Sequence, residues 1–220
     1  MTRNSLITLT LGAAAVGMLL LGNQSSLSAT PGLDAQDQVE DLVVCYANGT
    51  DTIGLAVNAT GAQPLDSMVN LGDPQFAAGL AYYQQCFTDD FKFILQQNGV
   101  TVLTVPNPAN PLPHAAPALQ WANFVNNAFR GPQYINTQHH MGSIKSEVNG
   151  NNAVANSYLI ATHRFGPNSP ISPITGVRRT GVSVVGGNYT DEDVRINGEW
   201  RIKTRTLNIT SSVSIPAGLQ

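Results

Sequence analysis

The chain has 220 residues, a formal charge of −3 and only 11% charged residues, with 11 Lys and Arg against 14 Asp and Glu. No basic run points to a nucleic-acid partner, and after the first apolar stretch no second one points to a membrane span. Two cysteines, Cys45 and Cys86, exclude a cysteine-rich scaffold and make a poor metal site by themselves.

The N-terminus reads as an export signal. Arg3 precedes an uncharged apolar run, Leu6 to Gly22, and small residues follow, with a cut expected after Ala29. The run is short for a span; an uncleaved anchor is the alternative. Cleavage leaves about 190 residues, enough for one domain with a sizeable core. Export to the periplasm or outside the cell favours a Cys45–Cys86 disulfide over two buried thiols. The sequons carry little weight in a chain so rich in Asn, Ser and Thr.

Asp34 is placed to cap a first helix, whose apolar stripe is Val39, Leu42, Val43 and Tyr46. The spacing predicts that it stops near Asn48-Gly49, ahead of a long turn-rich loop over about 52–74. A second helix starts after Asp73-Pro74, with Phe76, Leu80, Tyr83 and Phe87 on one face. "FKFILQQNGVTVLTV" reads as a hairpin turning at Asn98-Gly99. The Pro-rich segment 106–117 is irregular, and His114 within it is expected to be exposed. A third helix carries Trp121, Val125, Ala128 and Phe129 on one side. The remainder is strand-like, with hairpins near Asn149 to Asn152 and at Asn197-Gly198, separated by a second long loop over about 165–182. Helices first and strands last predict an α+β fold.

Four stretches carry a resemblance: "YANGTD", "CFTDDFKF", "TQHHMGSIKSEVNGNNAVANSYLIATH" and "YTDEDVRINGEWRIKTRTL". In this order they resemble the SnoaL-like branch of the nuclear transport factor 2-like superfamily, which includes scytalone dehydratase-like and bile acid dehydratase-like proteins. The resemblance implies a cone-shaped barrel, a curved antiparallel sheet wrapped around N-terminal helices with one deep apolar pocket. It also implies catalytic roles for Tyr46, Asp51, His139 and His163, and a substrate contact from Arg195; Tyr189 and Trp121 are further candidate substrate contacts. It implies no cofactor and no metal, a small apolar carbonyl-type ligand, and a homodimer or homotrimer. The chain departs from the pattern in its two long loops and in Ser143, where members often carry Asn.

The residues themselves leave alternatives open. Neighbours on a strand point to opposite faces, so only one of His139 and His140 enters the pocket. Parity is ambiguous between them, and a bulge near Gly142 would reconcile it in favour of His139. No HxH at ligand parity and no HExxH appears, which disfavours a metal site. Asp191 and Asp193 read as a solvated pair, with Arg195 their surface partner. Trp200 and Ile202 read as core together with Val194 and Ile196. A histidine base, a carboxylate holding it and a tyrosine donor suit proton abstraction next to a carbonyl, ending in dehydration or double-bond migration. A lyase or isomerase of that kind competes with a non-catalytic ligand-binding module and with a dimerising interaction domain.

Overall fold

The computed structural model describes residues 34–56, 59, 63–109, 112, 115–130, 133–171 and 176–217. The signal segment read at 1–29 and His114 lie outside the described residues. Helix α1 is Ala35–Gly54, and Asp34 caps it by accepting from Gln36 N and Asp37 N. It does not stop at Asn48-Gly49 as the sequence suggested. Gly49 marks a close approach: a Cβ there would stand 2.8 Å from Tyr83 Cε1. Tyr83 belongs to α2, Pro74–Cys86, which is capped by Asp73 and begins with proline at its first turn. The extra helical turn carries Asp51 on α1 rather than on a loop after it.

The sheet has six strands: β1 Phe87–Gln97, β2 Val100–Val105, β3 Tyr134–Asn149, β4 Asn152–Phe165, β5 Val182–Ile196 and β6 Glu199–Ile215. Their spatial order is β2-β1-β6-β5-β4-β3. Neighbours are antiparallel except β1 and β6, which run parallel. β2 and β3 stand at the two edges, so the sheet curves without closing into a complete barrel. Asn98-Gly99 and Asn197-Gly198 have positive φ at both positions, the backbone that tight hairpins need. Helix α3, Pro117–Arg130, completes the set.

Helices and concave sheet face share one core. Tyr46 stacks at 5.8 Å on Tyr83 and at 6.3 Å on Phe93, and Phe93 stacks at 3.6 Å on Trp121 of α3. Such pairs contribute about 0.5–1.5 kcal/mol each beyond the area they bury. Two register shifts decide which side chains reach this core. On β3 the shift between Gly142 and Lys145, with Ser143 at φ 49°, lets Thr137, His139 and Met141 face inward before it and Ile144 and Ser146 after it. The second lies where Glu192 and Asp193 pair with Thr204 and Ile202, skipping Lys203.

That second shift changes which residues of β6 face inward: Trp200 and Ile202 before it, Arg205 and Leu207 after it. Trp200 and Ile202 are buried, as expected, but Ile196 is exposed and Val194 only half-buried. The inner face of β5 carries Tyr189, Asp191 and Asp193 instead. The two aspartates are not solvated: each is 1% exposed, opposite the fully buried Arg205.

Cys45 and Cys86 form a disulfide, Cα–Cα 6.3 Å, tying α1 to the end of α2. A loop with a sequence separation of 41 is worth about 4 kcal/mol on the chain-entropy model. Mass mapping of the oxidised protein is expected to show the two cysteines in one linked peptide. The Cys45→Ser/Cys86→Ser variant should unfold at lower denaturant, with an unfolding free energy smaller by an amount near that value.

Candidate active site

A cavity of about 190 Å³ lies between α1, α3 and the concave face of the sheet. Trp121, Phe129, Leu159 and Leu207 are among its apolar walls, and Tyr46, Thr50, Tyr189, His139 and His163 are the lining residues with polar side-chain groups. The rest of the sequence-derived set divides clearly. Asp51 meets the cavity through His139, and Arg195 does not meet it.

Asp51 holds His139 at two points. Its Oδ1 is 2.6 Å from the ring Nδ1, and its Oδ2 accepts from the His139 backbone N–H at 2.9 Å. An ionised carboxylate only accepts, so Nδ1 carries the proton and Nε2 is left as the basic nitrogen. The carboxylate is 28% exposed while the imidazole is 7% exposed. The charge therefore sits at the rim and the base sits inside. Position follows from packing. A side chain at Gly54 would overlap that of Thr137, so α1 reaches β3 closely one turn beyond Asp51. Arg130 donates to Gly54 O at 3.1 Å and to Tyr134 O at 2.5 Å, fixing the end of α1 with a cation where the helix dipole favours one. His140, on the opposite face, is exposed.

His163 lies beside this pair, its ring centroid 5.7 Å from that of His139. It packs between Phe129 and Tyr134, and its Nδ1 is 2.7 Å from Thr137 Oγ1. Burial lowers its pKa to about 4; His139 acts in the same direction and Asp51 opposes them. At neutral pH the ring is uncharged.

On another wall, Tyr189 Oη donates to Tyr46 Oη at 3.4 Å. Both phenols are raised above their ordinary value, chiefly by burial. Arg195 sits by the β5–β6 turn, exposed, with its Nε donating to Gly198 O at 3.1 Å. The basic residue near the tyrosines is Arg205, which sequence reasoning missed. Two aspartates on one face of a strand were the available signal, since buried carboxylates need a cation nearby.

The SnoaL-like domain family matches residues 78–206, more than half of the chain, and this protein belongs to that family. Its fold is the nuclear transport factor 2-like one. The hexachlorocyclohexane dehydrochlorinase LinA-type3 of Novosphingobium barchaimii LL02 is similar with a TM-score of 0.53 and 13% identity, over 84% of this chain and 91% of that one. A type 2 hexachlorocyclohexane dehydrochlorinase, also with a TM-score of 0.53, is 14% identical over 84% and 90%. The Kfla4162 protein of Kribbella flavida has a TM-score of 0.51 and 14% identity over 80% and 91%. At these identities the likeness is one of fold. Comparison with curated proteins gives no match.

His163 makes a prediction about acid. Between pH 6.5 and about 4 the unfolded chain takes up a proton that the folded His163 refuses, so this residue lowers stability as pH falls through that window and has no effect above it. The loss at the acid end is up to about 3 kcal/mol. Imidazole NMR should show His163 neutral at pH 5. The stability difference between the wild type and His163→Gln should narrow on acidification by that amount.

Proposed function

We propose that the protein is an exported lyase or isomerase acting on a small, uncharged, mostly apolar carbonyl compound. The Asp51–His139 pair at the wall of an apolar cavity carries this reading. His139 Nε2 takes a proton from the carbon next to the carbonyl, and Asp51 stabilises the imidazolium that forms. Tyr46 Oη donates to the oxygen that becomes an enolate. In a dehydration the electron pair of the enolate then expels a β-hydroxyl, which leaves as water with a proton from the imidazolium. In a double-bond migration the same proton returns to the γ-carbon. His163 is neutral and assists as a hydrogen-bond donor through Nε2–H while Thr137 donates to its Nδ1. It does not serve as a cationic acid near pH 7. The dehydrochlorinase relatives support elimination chemistry on this scaffold by analogy of fold.

The aromatic lining also suits a second reading, a carrier of small apolar ligands without turnover. The outer sheet face adds a further element: Tyr158 is 66% exposed and Ile160 56%, a surface suited to self-association, which sedimentation would test.

The direct test of the catalytic reading is exchange of ketone α-protons in D₂O, followed by NMR over a panel of cyclic ketones, hydroxy-ketones and enones. The wild type should catalyse exchange, and His139→Ala should lose 10²-fold or more. Asp51→Asn should lose activity as well, since a neutral amide stabilises the imidazolium poorly. Binding of panel members without exchange would favour the carrier.

A further inference from the structure

Arg205 has no exposed surface, and the chain offers it little conventional compensation. Its nearest carboxylate oxygen, Asp191 Oδ2, is 3.3 Å from Nη1. Among the described residues its Nε, Nη1 and Nη2 complete no hydrogen bond, and neither oxygen of Asp193 has one. What the guanidinium does have is two ring faces: its carbon stands 3.8 Å from the Tyr46 centroid and 4.1 Å from that of Tyr189. A buried ion pair can often be replaced by apolar side chains with no loss of stability. Stability alone therefore does not account for a charge here.

Both tyrosines that hold the cation also line the cavity. Tyr189 Oη donates to Tyr46 Oη, which leaves the Tyr46 proton for another acceptor. A chain of two hydroxyls strengthens its terminal donor. A cation against both rings adds to this, because it stabilises the negative charge that grows on a phenol oxygen as its proton is shared. Burial raises the Tyr46 phenol, and Arg205 is the largest influence opposing it. Asp191 and Asp193 are the acidic groups facing the guanidinium, and Tyr83 stacks on Tyr46 from α2. Burial raises both carboxyls, and Asp191 raises Asp193 further. A protonated Asp193 leaves the cluster close to neutral.

We propose that Arg205 is a positioning residue for an oxyanion site: clamped between Tyr46 and Tyr189, it fixes both hydroxyls at the cavity wall and strengthens Tyr46 as donor to a carbonyl or enolate oxygen of the ligand. This rests on the reading of the cavity as a site for a carbonyl compound. It assigns the hydroxyl wall of the cavity to the ligand oxygen and leaves the Asp51–His139 base for the carbon beside it.

The test uses the oxidised full protein and 4-nitrophenol, a small flat phenol whose colour reports its ionisation. Bound to the wild type, it should ionise at least tenfold more readily than in free solution. Arg205→Met/Asp191→Asn removes both charges of the pair together and should lose about tenfold of that effect, while Arg205→Lys, which keeps the charge, should retain most of it. Tyr189→Phe breaks the hydroxyl chain without touching a charge and should lose part of the effect; it serves where the double variant does not fold. Failure of the wild type to bind the probe, binding without enhanced ionisation, or equal ionisation in the wild type and these variants would overturn the proposal. The readout needs no turnover. Enhanced ionisation that depends on Arg205 in a protein that exchanges no α-proton would keep this inference and remove the catalytic one.

Discussion

Two hydrogen bonds accepted by one carboxylate tie the last turns of α1 to the edge strand β3. The bond to the backbone N–H sets where the strand lies against the helix. The bond to Nδ1 sets how the imidazole is turned and which nitrogen stays basic. The cavity and His163 lie beside this contact, and the close packing of Gly54 on Thr137 holds the same helix end against the strand.

From that contact the interior divides into two chemically different walls. One carries the histidines, of which burial keeps His163 uncharged. The other carries Tyr46 and Tyr189 with Arg205 behind them. Between them lie apolar residues of α3 and the strands, which exclude water and strengthen electrostatic effects on both sides. The proposed proton abstraction next to a carbonyl uses both, the histidine wall as base and the tyrosine wall as hydroxyl donor.

Much of this was legible in the sequence because it rests on local rules. Asp34 and Asp73 sit where caps are needed, and Asn98-Gly99 and Asn197-Gly198 mark hairpins. Alternation along β4 put Leu159, Ala161 and His163 on one face, which is the inner one. The errors came where long-range packing overrode a local signal. Gly49 looked like a helix stop, yet it is small because Tyr83 passes over it. Arg195 looked like the basic residue of the pocket, yet it lies exposed at the turn, and it is Arg205, beyond the irregularity at Lys203, that faces inward. The inner face of β5 was misread because a strand with aspartates inside contradicts the rule of apolar residues inward unless its cation is known. Of the two adjacent histidines it is His139 that faces inward, and the bulge that reconciles the two halves of β3 is present at Ser143.

The central claim is that Asp51 fixes the ring of His139 with Nδ1 protonated and Nε2 free. Nitrogen-15 NMR of the imidazole, in the neutral form of His139, measures this directly. The account predicts an N–H signal from Nδ1 bonded to Asp51, an unprotonated Nε2, and loss of that preference in Asp51→Asn. A proton found on Nε2, or equal sharing between the two nitrogens in the wild type, would contradict it.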